Sequence, residues 1–114
     1  MNPKEKALQQ RMQVLRGQYA ETLPQKIEEL ETLWRQIVSG NQSHRLYETL
    51  IHKAHNLTGS GSIYGFPEIS RLAAELELLL AELQRLPPAP PSPGEQAKVE
   101  ELLHSLRLAI GEPA

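Results

Sequence analysis

Residues 67–86 read PEISRLAAELELLLAELQRL and carry the strongest periodic pattern in the chain. Apolar residues recur there every three or four positions, which is the spacing of one face of an α-helix. A proline suits the start of such a helix, because the first turn does not need its missing amide hydrogen. The stretch therefore predicts a long helix whose buried face comprises Ile69, Leu72, Ala73, Leu76, Leu79, Leu80 and Leu83.

A second helix is predicted immediately before this one, with Ser43 as its N-terminal cap. Its end is rich in glycine, and a glycine inside a helix costs on the order of 1 kcal/mol relative to alanine. We expect Gly61, which lies on the buried stripe, to allow close packing against the following helix. Gly59 is expected to leave surface room for another protein. The apolar stripe comprises Leu46, Leu50, Ala54 and Leu57, with Tyr47 and Ile51 at its edge.

Two helices are predicted in the N-terminal part of the chain. The first runs from about Pro3 to about Glu21, with a helical spacing of apolar residues. Pro24 lacks a backbone donor and disfavours helical angles at the preceding residue, so we expect it to open a separate helix that ends at Gly40. The stripe of the first helix is Leu8, Met12, Leu15 and Tyr19, and that of the second is Ile27, Leu30, Trp34 and Ile37.

The C-terminal part begins with a proline-rich segment, LPPAPPSPGE, from Leu86 to Glu95. Successive prolines lack amide donors, so this segment is predicted to be an interhelical loop. Ser92 and Glu95 match a capping box that opens the last helix, which Gly111 ends. No strand-like alternation competes along the sequence. The predicted fold is therefore all-α: an antiparallel four-helix bundle with an additional N-terminal helix packed across one end.

Composition excludes several classes of protein. The length of 114 residues suits one domain, so we expect residues 1–114 to be a single domain, either alone or as the N-terminal part of a longer signalling protein. The 12 Lys and Arg residues against 14 Asp and Glu leave no basic footprint for nucleic acid. There is no Cys for a disulfide or thiolate site, and no apolar run of membrane-spanning length. We therefore expect a soluble, cytoplasmic, monomeric domain.

His55 is the candidate reactive residue. At about 100° per residue it lies about 130° from the centre of the buried stripe, so its imidazole should face solvent. Gly59 is next to it on the same surface, and Thr58 and Ser62 flank it. His52, one turn earlier, could form a metal-binding pair with His55, but without Cys or an obvious third ligand we expect no metal site. On spacing alone, an ordinary exposed histidine remains an alternative.

The segment AHNLTGSGSIYGF, from Ala54 to Phe66, resembles the phosphoacceptor signature of histidine phosphotransfer (Hpt) domains. In that signature the histidine is followed by a hydrophobic residue at the second position and by Gly at the fourth. The resemblance implies that His55 accepts and donates a phosphoryl group in a His–Asp phosphorelay. The positions that match are His55, Leu57, Gly59, Ser60, Gly65 and Phe66.

The resemblance also implies the partners, which are receiver domains of response regulators or of hybrid histidine kinases. The receiver is expected to supply magnesium, so we expect no cofactor on this chain. No glycine-rich phosphate loop followed by Lys is present, so we expect no nucleotide-dependent kinase activity. Residues expected to support His55 or to dock the partner are Ile51, His52, Thr58, Gly59, Ser62 and Tyr64.

Thr58 departs from the family pattern, because members usually carry Lys there to support the phosphorylated imidazole. Lys53 and Arg71 are candidate substitutes for that charge. An alternative function is a degenerate helical adaptor that binds receiver domains without phosphorylation. A small enzyme using His55 with a carboxylate ranks last, because no Asp or Glu lies one turn from His55 in the sequence.

Overall fold

The computed structural model describes residues 1–40, 44–86 and 89–111, which form four helices: α1 (Pro3–Val38), α2 (His44–Ile63), α3 (Pro67–Arg85) and α4 (Pro93–Ala109). Each helix packs against its neighbours in sequence, and α4 also packs against α1, which closes the ring. The predicted all-α four-helix bundle is confirmed, and the described residues contain no strand. The predicted cap Ser43 lies outside the described residues.

The separate N-terminal helix predicted before Pro24 is wrong, because α1 runs without a break from Pro3 to Val38. A proline inside a helix costs on the order of 3 kcal/mol. The buried stripe of α1 continues in the same phase on both sides of Pro24, and burial of one large aliphatic side chain contributes about 1.5–3 kcal/mol. Packing therefore offsets the local cost. The buried residues are Tyr19, Leu23, Ile27, Leu30, Trp34 and Ile37.

The prediction that the N-terminal helix packs across one end of the bundle is wrong. The first 18 residues extend beyond the bundle and are exposed. The molecule measures 59 Å along its longest axis against 26 and 17 Å along the others. A helix of 36 residues is about 54 Å long, so α1 alone accounts for most of that length. The exposed fractions of the predicted packing residues are 62% for Leu8, 47% for Met12 and 37% for Leu15.

The hydrophobic core lies between the four helices and follows the predicted stripes of the second half of α1, of α2 and of α3. Two positions of those stripes, Leu46 and Leu79, are only half-buried, and Tyr47, predicted at the edge, is buried. Helix α3 contributes six buried residues, the same number as the longer α1. No buried residue in the described part of the chain is charged. The core members from α2, α3 and α4 include Leu50, Ala54, Leu57, Ile69, Leu72, Ala73, Leu76, Leu80, Leu83, Val99, Leu103 and Leu106.

Polar contacts fix α4 at its start and along its length. The capping box is confirmed: the backbone amide of Glu95 donates to Ser92 Oγ at 3.2 Å, and the backbone amide of Ser92 donates to Glu95 Oε1 at 2.7 Å. Arg107 donates to both carboxylate oxygens of Glu31 on α1, at 2.6 Å from Nη2 and 3.0 Å from Nε. This bidentate pair connects the last helix to the first.

The turn between α2 and α3 uses two of the glycines. Gly65 has a φ of +82°, a conformation that residues with a side chain rarely adopt. The amide of Phe66 donates to the carbonyl of Gly61 at 2.7 Å, and that of Gly65 donates to the carbonyl of Ser62 at 3.3 Å, which ends the helix as a Schellman motif. A Cβ on Gly61 would lie 3.1 Å from the backbone nitrogen of Ser70. Close packing at Gly61 is therefore confirmed.

Tyr19 joins α1 to this turn. Its hydroxyl lies 2.6 Å from Ser60 Oγ, and its ring stacks on Tyr64 with ring centroids 4.5 Å apart. The Phe66 ring is 5.6 Å away, between centroids. Burial raises the pKa of Tyr19, an effect that the hydrogen bond with Ser60 partly opposes.

We expect Tyr19→Phe to lower the free energy of unfolding by about 1 kcal/mol near pH 7, because it removes this hydrogen bond and keeps the ring. The raised pKa means that the folded state binds the phenolic proton more tightly than the unfolded state does. The stability that this tighter proton binding contributes is fully present below the unfolded pKa of 10.0. It is lost as the pH rises through the pKa of Tyr19 in the folded state.

Urea unfolding at neutral and at alkaline pH measures both effects, and the difference between the wild type and Tyr19→Phe should shrink at the higher pH. Tyr64→Phe is the matched control, since it alters the other ring of the stacked pair. If both variants unfold at the same urea concentration as the wild type, the Tyr19–Ser60 bond does not stabilise the bundle.

Candidate functional site

His55 lies on the exposed side of α2, where the helical spacing predicted it. Its side chain is 68% exposed, whereas Leu50, Ala54 and Leu57 on the opposite side of the helix are buried. The imidazole Nδ1 lies 2.9 Å from Oε2 of Glu77 on α3. Glu77 is 28% exposed, so the contact lies at the edge of the bundle with one side open to solvent.

The contact with Glu77 sets the chemistry of the imidazole. An ionised carboxylate can only accept a hydrogen bond, so Nδ1 carries the hydrogen and donates it. In the neutral ring this leaves the lone pair on Nε2, which makes Nε2 the nucleophilic nitrogen. The negative carboxylate also stabilises any positive charge that forms on the ring. The pair is therefore suited to accepting an electrophilic group at Nε2.

The sequence analysis does not predict Glu77, because its carboxylate candidates are limited to residues within one turn of His55 on α2. Helices α2 and α3 form an antiparallel hairpin, in which Ser70 Oγ donates to the carbonyl of Thr58 at 2.7 Å and Gln84 contacts His44. Position 77 therefore falls beside position 55. The sequence signal was available: Glu77 directly follows Leu76, at the edge of the buried stripe of α3.

The supporting residues predicted on α2 fall into two groups. His52, Gly59 and Ser62 are exposed, and a Cβ added to Gly59 would meet nothing within 4 Å. Ile51 and Thr58 are half-buried. Thr58 Oγ1 donates to the carbonyl of Ala54 at 3.0 Å, so the hydroxyl is held within its own helix. The residues of the first group leave open surface beside His55, and those of the second group support the hairpin of α2 and α3.

A comparison with protein-family models identifies the domain. The model of the Hpt domain matches residues 14–109, which include His55 and all of α2, α3 and α4. The chain belongs to the Hpt domain family. Hpt domains take part in histidine phosphotransfer in two-component phosphorelays, so the resemblance drawn from residues 54–66 is confirmed. Searches of curated proteins and of solved structures returned no match.

Tyr64 contacts α1 in this Hpt domain. It follows α2, is half-buried and stacks on Tyr19 of α1. Arg16 closes the same aromatic cluster, because its guanidinium lies 4.6 Å from the centroid of the Phe66 ring. Tyr64 therefore packs the α1 side of the turn, and its place in a docking surface stays a prediction.

The candidate substitutes for the family Lys are paired elsewhere in the Hpt domain. Lys53 Nζ lies 3.2 Å from Glu29 Oε2 on α1, on the other side of α2 from His55. Arg71 pairs with Glu68 and with Glu75 on its own helix, and its guanidinium holds the pKa of Glu68 below the usual range. Neither cation is paired with the His55–Glu77 site.

Two other kinds of site are absent from the described residues, 1–40, 44–86 and 89–111. No group of three or more His, Cys, Asp or Glu side chains in these ranges is placed to hold a metal ion. No helix in them is both long and apolar enough to cross a lipid bilayer.

Proposed function

We propose that His55 of this Hpt domain accepts a phosphoryl group from the aspartyl phosphate of a receiver domain and passes it to a receiver aspartate. The observation that supports this best is the 2.9 Å contact between His55 Nδ1 and Glu77 Oε2 on an open face of the bundle. It orients the imidazole with Nε2 as the nucleophile. The 68% exposure of the side chain gives a partner protein access to it.

The transfer of the phosphoryl group needs no reactant other than the two proteins, because one bond forms as one breaks. Nε2 attacks phosphorus, an N–P bond forms, and the bond from phosphorus to the aspartyl oxygen breaks with its electron pair on the leaving carboxylate. The ring becomes positively charged while Nδ1 keeps its hydrogen, and Glu77 stabilises that charge. On return the N–P bond breaks and Nε2 regains its lone pair. The receiver supplies the magnesium ion and the Lys that stabilise the transferring charge.

In this proposal the Hpt domain contributes a nucleophile and a docking face, and it has neither a kinase activity nor a cofactor of its own. The face around His55 has features that suit docking. Gly59 offers no side-chain obstacle, and two large apolar side chains on the same two helices are largely exposed: Ile63 on α2 is 73% exposed and Leu78, next to Glu77 on α3, is 71% exposed. Exposed apolar residues beside a reactive group are suited to contact with a partner.

Incubation with a phosphorylated receiver domain and magnesium tests the proposal. Acid-labile phosphate should appear on the Hpt domain as the receiver loses its own. If none appears across a panel of receivers that retain competence with another Hpt domain, phosphotransfer by this chain is contradicted.

Glu77→Gln should slow phosphorylation of His55 by about tenfold, which corresponds to about 1.4 kcal/mol in the barrier. Two unit charges separated by the 2.9 Å of the His55–Glu77 contact interact by about 1.4 kcal/mol in water. The neutral amide of glutamine cannot supply this interaction. Single-turnover transfer from a phosphorylated receiver measures the rate. The matched control is Glu82→Gln on the exposed side of α3, which should transfer at the wild-type rate. Equal rates for all three proteins would remove Glu77 from the mechanism.

The surroundings of Thr58 support a second candidate function, a receiver-binding adaptor that is not phosphorylated. Thr58 replaces the family Lys, and both nearby candidate substitutes are paired with other carboxylates. Calorimetric titration of a receiver into the Hpt domain measures binding, and the acid-labile phosphate assay measures transfer. Together they distinguish the two functions. Binding without transfer supports the adaptor, whereas binding with transfer supports the phosphorelay function.

A further inference from the structure

The N-terminal extension, defined here as residues 1–18 of the chain, carries a narrow apolar seam. Leu8, Met12, Leu15 and Tyr19 follow one another at intervals of four, three and four residues, which is the a and d spacing of a heptad. The seam is only about 60° wide on a helical wheel, whereas a helix that lies on a globular core needs roughly 100° or more. Its geometry therefore matches contact with a single helix.

The extension is anchored at its base and directed away from the bundle. Tyr19 at the base is buried, and Arg16 donates from Nη2 to the carbonyl of Gly65 at 3.3 Å. Leu8 and Met12 lie beyond these contacts and are 62% and 47% exposed. The seam thus continues the buried stripe of α1 outward, with apolar side chains that the described bundle leaves uncovered.

Charge separates the extension from the rest of the domain. Four basic residues against one acidic residue give the extension a net charge of +3, while the whole chain has a charge of −2. Residues 19–114 therefore carry −5, since they contain eight basic and thirteen acidic residues. Three of the four basic side chains flank the seam, with Lys4 and Arg11 on one side and Arg16 on the other. Glu5 lies beside the seam on the Arg16 side, and Lys6 lies on the far face of the helix. The flanks of a coiled-coil seam select the partner by charge.

These flanks argue against pairing of two copies through their extensions. In a parallel pair Arg11 of one copy would face Arg16 of the other, and an antiparallel pair would place Lys4 and Arg11 against the same basic flank. Both arrangements are repulsive. A bilayer is also a poor match, because interfacial helices bury a broad apolar face and this seam is narrow.

We propose that the N-terminal extension binds a helix of a partner protein, one with an apolar a/d seam flanked by Glu or Asp, as a two-helix coiled coil. The complex places Leu8, Met12 and Leu15 against the apolar seam of the partner, and Lys4 and Arg11 opposite an acidic flank. Arg16 keeps its contacts with Gly65 and Phe66 at the base of the extension. The extension then recruits a partner independently of the chemistry at His55.

A designed peptide tests this with the whole chain. The probe is a labelled helix of about three heptads with Leu at a and d and Glu at e and g, and its binding is followed by fluorescence anisotropy. We expect saturable binding that weakens with added salt and falls at least tenfold in the double variant Leu8→Ser, Leu15→Ser. Val14→Ser, on the opposite side of the helix and 58% exposed in the wild type, is the matched control and should bind normally.

Four outcomes overturn the proposal: equal binding of a peptide with Lys at e and g, no binding of the acidic peptide, a dimer in sedimentation that Leu15→Ser dissociates, or seam-dependent binding to phosphatidylserine vesicles without binding of the acidic peptide. Urea unfolding of each variant serves as the fold control. The bundle should unfold at the wild-type urea concentration, because Leu8 and Leu15 are not members of its core.

Discussion

His55→Gln should abolish the acid-labile phosphate that the Hpt domain acquires from a phosphorylated receiver. Glutamine is polar and of similar size, but its amide is not a nucleophile at neutral pH. The side chain at position 55 is largely exposed, and exposed ion pairs contribute about 0–1 kcal/mol, so the bundle should keep its stability. Gel-resolved transfer assays combined with circular dichroism measure both the loss of label and the retention of the helices.

His52→Gln is the matched control for this variant. His52 is exposed one turn before His55 on the same helix, so its replacement changes the docking surface without removing the proposed nucleophile. We expect His52→Gln to be phosphorylated to the wild-type level. Label that persists in His55→Gln, or that disappears only in His52→Gln, contradicts the assignment of His55 as the phosphoacceptor.

The bundle was largely predictable because its helices obey a single hydrophobic period. In α3 and α4 the apolar spacing, the first-turn prolines and the Ser92 capping box gave the same helices that the structure has. The helix break predicted at Pro24 is wrong because the local preference of proline does not include the packing on either side of it. Tyr19, Leu23 and Ile27 hold one phase across the proline, and their burial decides the conformation there.

The site was predictable only in part, for a related reason. The angle of His55 on α2 follows from the sequence of that helix alone, so its exposure could be predicted. The contact with Glu77 joins residues 22 positions apart and depends on the register of the α2–α3 hairpin. That register is set by the turn at Gly65 and by the close approach at Gly61, which a search within one helix does not include.

Gly61→Val should destabilise the bundle by about 3 kcal/mol, because the added side chain meets backbone instead of open space. A Cβ at this position would already lie 3.1 Å from the backbone nitrogen of Ser70 and 3.4 Å from the carbonyl oxygen of Phe66. Both atoms lie at the start of α3, so relief requires a shift of that helix away from α2. Urea unfolding monitored by circular dichroism measures the loss.

Gly59→Ala provides the opposite expectation two residues away. A Cβ there meets no atom within 4 Å, so the change brings no overlap and removes the entropic cost of glycine in a helix. The free energy of unfolding should rise by about 0.5–1 kcal/mol. If the free energy of unfolding falls in Gly61→Val and rises in Gly59→Ala, Gly61 is required by the approach of α3, whereas Gly59 is not required by the fold. A loss of stability at both would instead mean that Gly59 also has a structural role, which would weaken its assignment to partner access.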